Sequence, residues 1–422
     1  MKNIMMTMAQ FAKGMLFSAA LFGMAANAAA QDKRLVMWSH WGEEPAKVNF
    51  IKAVTAEFQK TTGIALEVVW VPKKELLDKL PFALDSAEPD ITYLDHGFSH
   101  PRINRSLADL SDLSITAQVA PSWSALSVGF DGSGVKNFLP IEGLSNAIYY
   151  NKDLFQQAGI TLPQDHHLTE AEFLEIIKTL RAAGITPIGE GTLDRTVKAG
   201  LPIINTLFRY IGPEKMAKLL KGDINFSDPD VVAGLTFWKQ VVDAQGYDKD
   251  KANALGMVEG IFEVTDGRAA MNFCGTFFYS KYATTAHDRG NIGVLDWFQV
   301  NGGKGNGLYE ISWVAGYGAN AHSAHLADAK RFLEFLMTPT AAALWAQYVQ
   351  APYPVATDAL TEQSLFGQLT AQRKGQQPAP EGFTYQNFSE KAAQNMWEDT
   401  TKRFIVGEFT VEQFIERMNS RL

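Results

Sequence analysis

The apolar positions early in the chain alternate between two spacings. Residues 35–38, Leu-Val-Met-Trp, form a short continuous run that predicts a strand; Val48, Ile51, Val54 and Phe58 then recur at helical spacing, and Gly63 stands where a helix should stop. A second run over residues 64–71 is rich in β-branched and aromatic side chains and predicts another strand. Leu76, Leu77, Leu80 and Leu84 predict a helix that Pro81 ends or kinks, and residues 91–94, Ile-Thr-Tyr-Leu, predict a third strand. Strand, helix, strand, helix, strand is the order of an α/β fold, a mostly parallel sheet covered by helices.

In such sheets ligands gather outside the carboxyl ends of the strands. His40, Trp41 and Glu43 follow the first strand, and Asp95 and His96 follow the third, so both groups fall on one rim. Aromatic, imidazole and carboxylate groups in that position suit a site. Trp38 serves either the sheet core or the cleft, and Glu44 reads as a charge at a helix N-terminus.

The remainder is strongly helical. Thr169-x-x-Glu172 is a capping box that opens a helix carrying Phe173, Ile176, Ile177 and Leu180, with Gly184 as its stop. Ser227-Asp228-Pro229 opens another, with Val232, Leu235, Trp238 and Val242, ending near Gly246. Residues 328–337 carry Phe332, Leu333 and Leu336 ahead of Pro339, and Thr410-x-x-Gln413 caps a final helix with Phe414, Ile415 and Met418. Trp238 and Trp345 lie on amphipathic helices and read as core. Residues 367–382, dense in Gln, Pro, Gly and Ala, predict a loop.

Residues 1–30 read as a cleaved signal peptide: Lys2 and Lys13 flank an apolar run too short to span a bilayer, and a small-x-small pattern follows at 26–30. With no cysteine at that point and no later apolar run of membrane length, the expectation is a periplasmic protein without a lipid anchor. A formal charge of −8, made more acidic by loss of the two leader lysines, makes the chain a poor candidate for nucleic acid or for anionic membrane surfaces, and no nucleic-acid or membrane partner is expected. Cys274 stands alone, so no internal disulfide forms. At 422 residues the chain has room for two or three domains.

No metal or cofactor is expected. His96 and His100 have helical metal-ligand spacing, but Gly97 and Pro101 argue against a helix there; Asp248-Lys249-Asp250 lacks the glycine of a calcium loop, having Asn253 in its place. Nucleophile-elbow, zinc-protease and phosphate-loop patterns are missing as well.

Residues 149–160, Tyr-Tyr-Asn-Lys-Asp-Leu-Phe-Gln-Gln-Ala-Gly-Ile, followed by Leu162-Pro163, resemble the extracellular solute-binding proteins of carbohydrate-type bacterial ABC importers, the maltose-binding-protein-like family. Other segments agree in order: residues 35–38, 89–91, 266–271 with Gly275 after them, 327–339, and 407–410 before the last helix. The resemblance implies a two-lobed periplasmic-binding-protein fold, each lobe a mostly parallel sheet flanked by helices, with hinge strands between and the ligand in the cleft. It assigns residues 31–142 and a return at 313–345 to the N-terminal lobe, and 143–312 with 346–422 to the C-terminal lobe. A receptor of this kind is no enzyme. It would act as a monomer, bind a saccharide or sugar derivative, and deliver it to ABC permease subunits in the inner membrane.

Sugar rings present C–H faces to aromatic plates and hydroxyl edges to carboxylates, whose charge-assisted hydrogen bonds are about twice as strong as neutral ones. Carried onto this chain, the family's polar loops fall at His40, Trp41 and Glu43 and at Asp95 and His96, its hinge-adjacent acceptor at Glu142, and its stacking aromatic within Gly275, Thr276, Phe277 and Phe278. Without gaps, Leu144 occupies the position of the family's carboxylate. Glu310, Ser312 and Trp313 sit beside a hinge crossing, Tyr353 lies in a rigid Pro-Tyr-Pro stretch, and Arg373 in the 367–382 loop would reach a ligand of negative charge. The competing readings are a secreted glycoside hydrolase using two of Glu43, Asp95 and Glu142, and the same fold holding a non-sugar solute.

Overall fold

A computed structural model describes residues 34–95, 101–113, 135–193, 197–282, 287, 289–310, 313–355, 363–379 and 387–422. The leader, His96, His100 and Ser312 lie outside them. For Trp313 the backbone is described and the side chain is not.

The early alternation folds as its pattern predicts. Strands β1 (Arg34–Ser39), β2 (Ala65–Trp70) and β3 (Ile91–Asp95) pair in parallel with β1 in the middle. The helix Pro45–Thr62 between the first two buries Phe50, Ile51, Val54 and Phe58, and it stops because Gly63 adopts φ 73°, a left-handed conformation that glycine enters without steric cost. Pro81 neither ends nor interrupts the helix Lys73–Ala83; a 3₁₀ turn, Leu84–Ser86, follows directly. β4 (Leu139–Leu144) and, much later in the chain, β10 (Trp313–Ala319) complete the sheet in the order β2-β1-β3-β10-β4, β10 running antiparallel to both its neighbours.

A second sheet holds β5 (Asn146–Asn151), β6 (Thr186–Ile188), β7 (Ala269–Gly275) and β8 (Ile292–Leu295) in the order β6-β7-β5-β8. Each sheet has its own core. Trp41, Phe50, Phe58, Tyr93, Tyr317, Phe332 and Trp345 fill the first; Phe173, Trp238, Phe273, Trp297, Trp397 and Phe414 fill the second. A smaller cluster of Tyr149, Val264, Phe278 and Leu369 covers the other face of the second sheet. Separate cores on separate sheets make two lobes. Both capping boxes form, at Thr169 with Glu172 and at Thr410 with Gln413.

The chain passes between lobes at Ser145, between Tyr309 and Trp313, and again between Val355 and Leu365. The return to the first lobe therefore runs past residue 345: Val349, Ala351 and Tyr353 are in the first core, the Tyr353 ring 5.2 Å from that of Trp345. Residues 367–382 are not simply a loop. Ser364 caps a helix Leu365–Gln372 by accepting from the Gly367 N–H, Leu365 and Leu369 fall four apart on its buried face, and β11 (Gln377–Pro378) then pairs with β9 (Leu308–Tyr309). Residues 380–382 lie outside the described set. Among the described residues no helix is long and apolar enough to cross a membrane.

The first sheet shifts register between Ala315 and Gly316, where the backbones of β10 and β4 come so close that a Cβ on Gly316 would lie 1.9 Å from the Leu139 carbonyl oxygen. Gly316→Ala should cost about 1–3 kcal/mol of stability through backbone displacement. Urea unfolding measures this, and an unchanged midpoint would contradict it.

Candidate functional site

The first strand ends at Ser39, and a 3₁₀ turn at Trp41–Glu43 carries the chain into the helix Pro45–Thr62. That turn leaves Glu43 exposed and swings Trp41 back beneath the sheet, fully buried, with edge contacts to Tyr93 at 5.6 Å and Tyr317 at 5.5 Å. Trp41 is thus a floor plate of the first core and not an open cleft surface. Glu44, at the N-cap of the helix, and Lys47, one turn in, both point to the lobe boundary.

Lys47 is the centre of the site. Its ammonium lies 2.9 Å from Glu44, 2.7 Å from Glu142 of β4, and 4.7 Å from the Trp41 ring centroid. From the second lobe, the short helix Phe278–Tyr282 brings the Ser280 hydroxyl, which donates to Glu44 Oε2 at 2.7 Å, and the Lys281 ammonium, 3.3 Å from Glu44 Oε1. The three acid and base groups on the first-lobe side are all buried. Glu142 Oε1 is buried too, with no hydrogen-bond partner among the described residues.

The two carboxyls respond oppositely to this environment. Burial works against the charge of Glu44, but Lys281, Lys47 and the Ser280 hydroxyl outweigh it and hold the carboxyl well below the usual range. For Glu142 burial wins over its bond to Lys47, and the nearby Glu44 charge adds to it, so its carboxyl is raised. Burial also opposes the charge of Lys47, yet its two carboxylate neighbours raise its pKa. Of the two acids sharing Lys47, Glu142 gives up its charge first.

Nearby, Asp95 is buried, accepting from Lys73 at 2.6 Å and from the Tyr93 hydroxyl at 2.7 Å. His40 lies edge-on to Tyr93 at 4.2 Å, half-buried, and burial lowers its pKa from 6.5 to about 4. Across the boundary, Thr276 donates its N–H to the Ser145 carbonyl at 2.9 Å and its hydroxyl to Gly143 O at 3.3 Å, tying the end of β7 to the crossing. Gly275 lets the Phe277 ring lie over it: a Cβ there would meet that ring at 2.9 Å. Phe277 is half-buried, whereas Phe278 stacks on Tyr149 at 4.0 Å and 3° and belongs to the core.

The remaining expectations separate. Glu310 is buried at the crossing, where it accepts the Asn146 N–H at 2.7 Å and burial raises its pKa. Arg373 does not stand in an open loop: its guanidinium donates to Asp296 at 2.9 Å, Ser145 Oγ at 2.7 Å and the Asn146 carbonyl at 2.8 Å. It braces the crossing from behind. Tyr353 donates its hydroxyl to the Leu336 carbonyl inside the first core and presents no ring to the boundary. The Trp313 backbone pairs opposite Leu144. Nothing in the sequence pattern marks Lys47, Ser280 or Lys281, and by spacing Glu44 is only a charge at a helix N-terminus. The acid–base spacing of Glu44 and Lys47 was the one available signal, and it is common on helix surfaces. Among the described residues no group of His, Cys, Asp or Glu is placed to hold a metal ion.

Lys47→Met leaves two buried carboxylates facing each other and should destabilise the protein by about 3–5 kcal/mol, with partial recovery on adding Glu142→Gln. Chemical denaturation of the single and double variants checks this; a cost below about 1 kcal/mol for the single variant would contradict it. For His40 the sign is set by the lowered pKa: between about pH 4 and 6.5 the unfolded chain binds a proton that the folded chain does not, so its contribution to stability is complete above 6.5 and is lost as pH falls through that window. Replacing it by Gln should remove on the order of 2–3 kcal/mol of pH dependence between those limits, read as the difference between urea curves of the two proteins. Parallel pH profiles would contradict it.

A family model described as bacterial extracellular solute-binding protein matches residues 41–343. Among solved structures, one described under xylan utilisation by the thermophilic bacterium Caldanaerobius polysaccharolyticus superposes with a TM-score of 0.73 at 20% identity, covering 92% of this chain and 99% of that one. A chitin oligosaccharide binding protein gives 0.73 at 18%, covering 92% and 97%. The bacterial solute receptor AcbH, described as having an exclusive preference for β-D-galactopyranose, gives 0.75 at 15%, covering 92% and 97%. At these identities the likeness is one of fold, the two-lobed periplasmic-binding-protein fold. No curated protein matches the chain in sequence.

Proposed function

This chain belongs to the family of bacterial extracellular solute-binding proteins, and we propose that within it the protein is the periplasmic receptor of an ABC importer for a saccharide or sugar derivative. The observation that carries the reading is Glu142 Oε1, a buried acceptor without a partner at the boundary between two lobes. A hydroxyl of the guest satisfies it, and the half-buried Phe277 ring supplies a plate for a C–H face. The saccharides named for the xylan, chitin-oligosaccharide and galactopyranose structures support the same class of guest.

The receptor works by closure. A guest that contacts both lobes only when they are together shifts the equilibrium toward the closed form by its differential affinity. Inner-membrane permease subunits then recognise that form and accept the guest. The leader directs export to the periplasm, where the protein acts as a monomer. Asp95 is held by Lys73 and Tyr93, and Glu142 shares Lys47 with Glu44; these pairings support a receptor over a glycoside hydrolase.

Native mass spectrometry of the purified protein, followed by calorimetry with neutral saccharides, uronic acids and polyols, tests the reading. Micromolar binding of a saccharide, about −8 kcal/mol, is expected, and Phe277→Ala should weaken it roughly five- to tenfold. If only non-sugar solutes bind, the guest class is wrong; release of a cleaved product would replace the receptor by an enzyme.

A further inference from the structure

Glu44 belongs to the first lobe, while Ser280 and Lys281 belong to the second. Glu44 is buried, and its two oxygens are divided between the lobes: Oε2 takes the Ser280 hydroxyl at 2.7 Å and Lys47 at 2.9 Å, and Oε1 faces Lys281 at 3.3 Å. Among the described residues the one ion pair of Lys281 is with Glu44. Separating the lobes would break both bonds to the second lobe. It would not disturb the pair that Lys47 makes with Glu142 and Glu44, which is internal to the first lobe and its hinge strand.

We propose that Glu44, with Ser280 and Lys281, is a closure latch: a charge-matched contact that stabilises the closed arrangement of the lobes and so sets the affinity for the guest without touching it. The charges of the junction support this. Glu44 and Glu142 are matched by Lys47 and Lys281, so that removing Lys281 on opening leaves the first lobe with two carboxylates and one ammonium. Opening therefore exposes an unbalanced negative charge to water, and closing neutralises it. The balance makes the latch reversible: in the open state water solvates the exposed carboxylate, and in the closed state the charge-assisted bonds replace that water. Its effect on affinity follows from the rule that a ligand binding one conformer has its apparent affinity scaled by the population of that conformer.

The latch rests on the reading of the protein as a two-lobed receptor, but its test needs no guest. Spin labels on Lys74→Cys in the first lobe and Glu214→Cys in the second, both highly exposed, report the interlobe distance in the guest-free protein, with Cys274 buried and unlabelled. Lys281→Met, Glu44→Gln and Ser280→Ala should each move the distance distribution toward longer values, with about a tenfold fall in the closed-to-open ratio for Lys281→Met and less for Ser280→Ala. Circular dichroism establishes that each variant folds; Lys281→Met keeps the test alive if Glu44→Gln does not. Any saccharide found to bind should lose up to the same tenfold in affinity. Distributions identical to the parent protein overturn the latch. So does weakened saccharide binding by Glu44→Gln at unchanged interlobe distance, which would make Glu44 a ligand contact. A protein that shifts its distances as expected yet binds no sugar would leave the latch standing and remove the proposed function.

Discussion

A buried ammonium shared by two buried carboxylates is the constraint on which this structure depends. Lys47 lies within 2.9 Å of Glu44 and 2.7 Å of Glu142, with all three removed from water. Such a group is costly to desolvate and strongly destabilising when one member is lost, so its geometry must be kept by everything around it. The helix N-terminus that carries Glu44 and Lys47 is set by Pro45 and by Trp41 beneath it, and Glu142 by the pairing of β4 with β10. One ion group thereby ties the first strand tip to the hinge strand and offers its remaining charge to the second lobe.

The rest of the boundary has the same chemistry. Among the described residues each lobe buries its own apolar core, and the contacts named at the crossings are hydrogen bonds and ion pairs: Thr276 to Gly143 and Ser145, Glu310 to Asn146, and Arg373 to Asp296, Ser145 and Asn146. An apolar interface would hold lobes together at all times. Polar contacts exchange with water at smaller net cost, which suits surfaces that must part and rejoin. Arg373 and Glu310 hold the second-lobe side of the crossings in place.

Much of this was legible in the residues. The β1–β3 alternation, the Gly63 stop, both capping boxes and the burial of Trp238 and Trp345 follow from local rules of spacing and chain geometry. The ordered landmarks around Tyr149 to Ile160 pointed to the family that the chain belongs to. What stayed hidden was tertiary. A helical stretch at Leu365–Gln372 was masked by glutamine and glycine, since its apolar positions are few and its stability comes from packing on the second sheet. Position after a strand puts Trp41 on the rim, but a three-residue 3₁₀ turn rotates it into the core. Tyr353 and Arg373 likewise have partners distant in sequence that no spacing rule reaches. Lys47, Ser280 and Lys281 are ordinary surface residues by type; the packing of β4 against the first helix gives Lys47 its role, and the meeting of two lobes gives Ser280 and Lys281 theirs.

Carbon-13 NMR titration of the Glu44 and Glu142 carboxyls in the guest-free protein tests the central claim most directly. If they share one ammonium in a dry junction and Lys281 tips the balance, Glu44 stays ionised to well below the ordinary glutamate range while Glu142 takes up its proton above it. Two carboxyls titrating together at the ordinary value would mean a solvated boundary with no shared charge, and the account given for the site would be wrong.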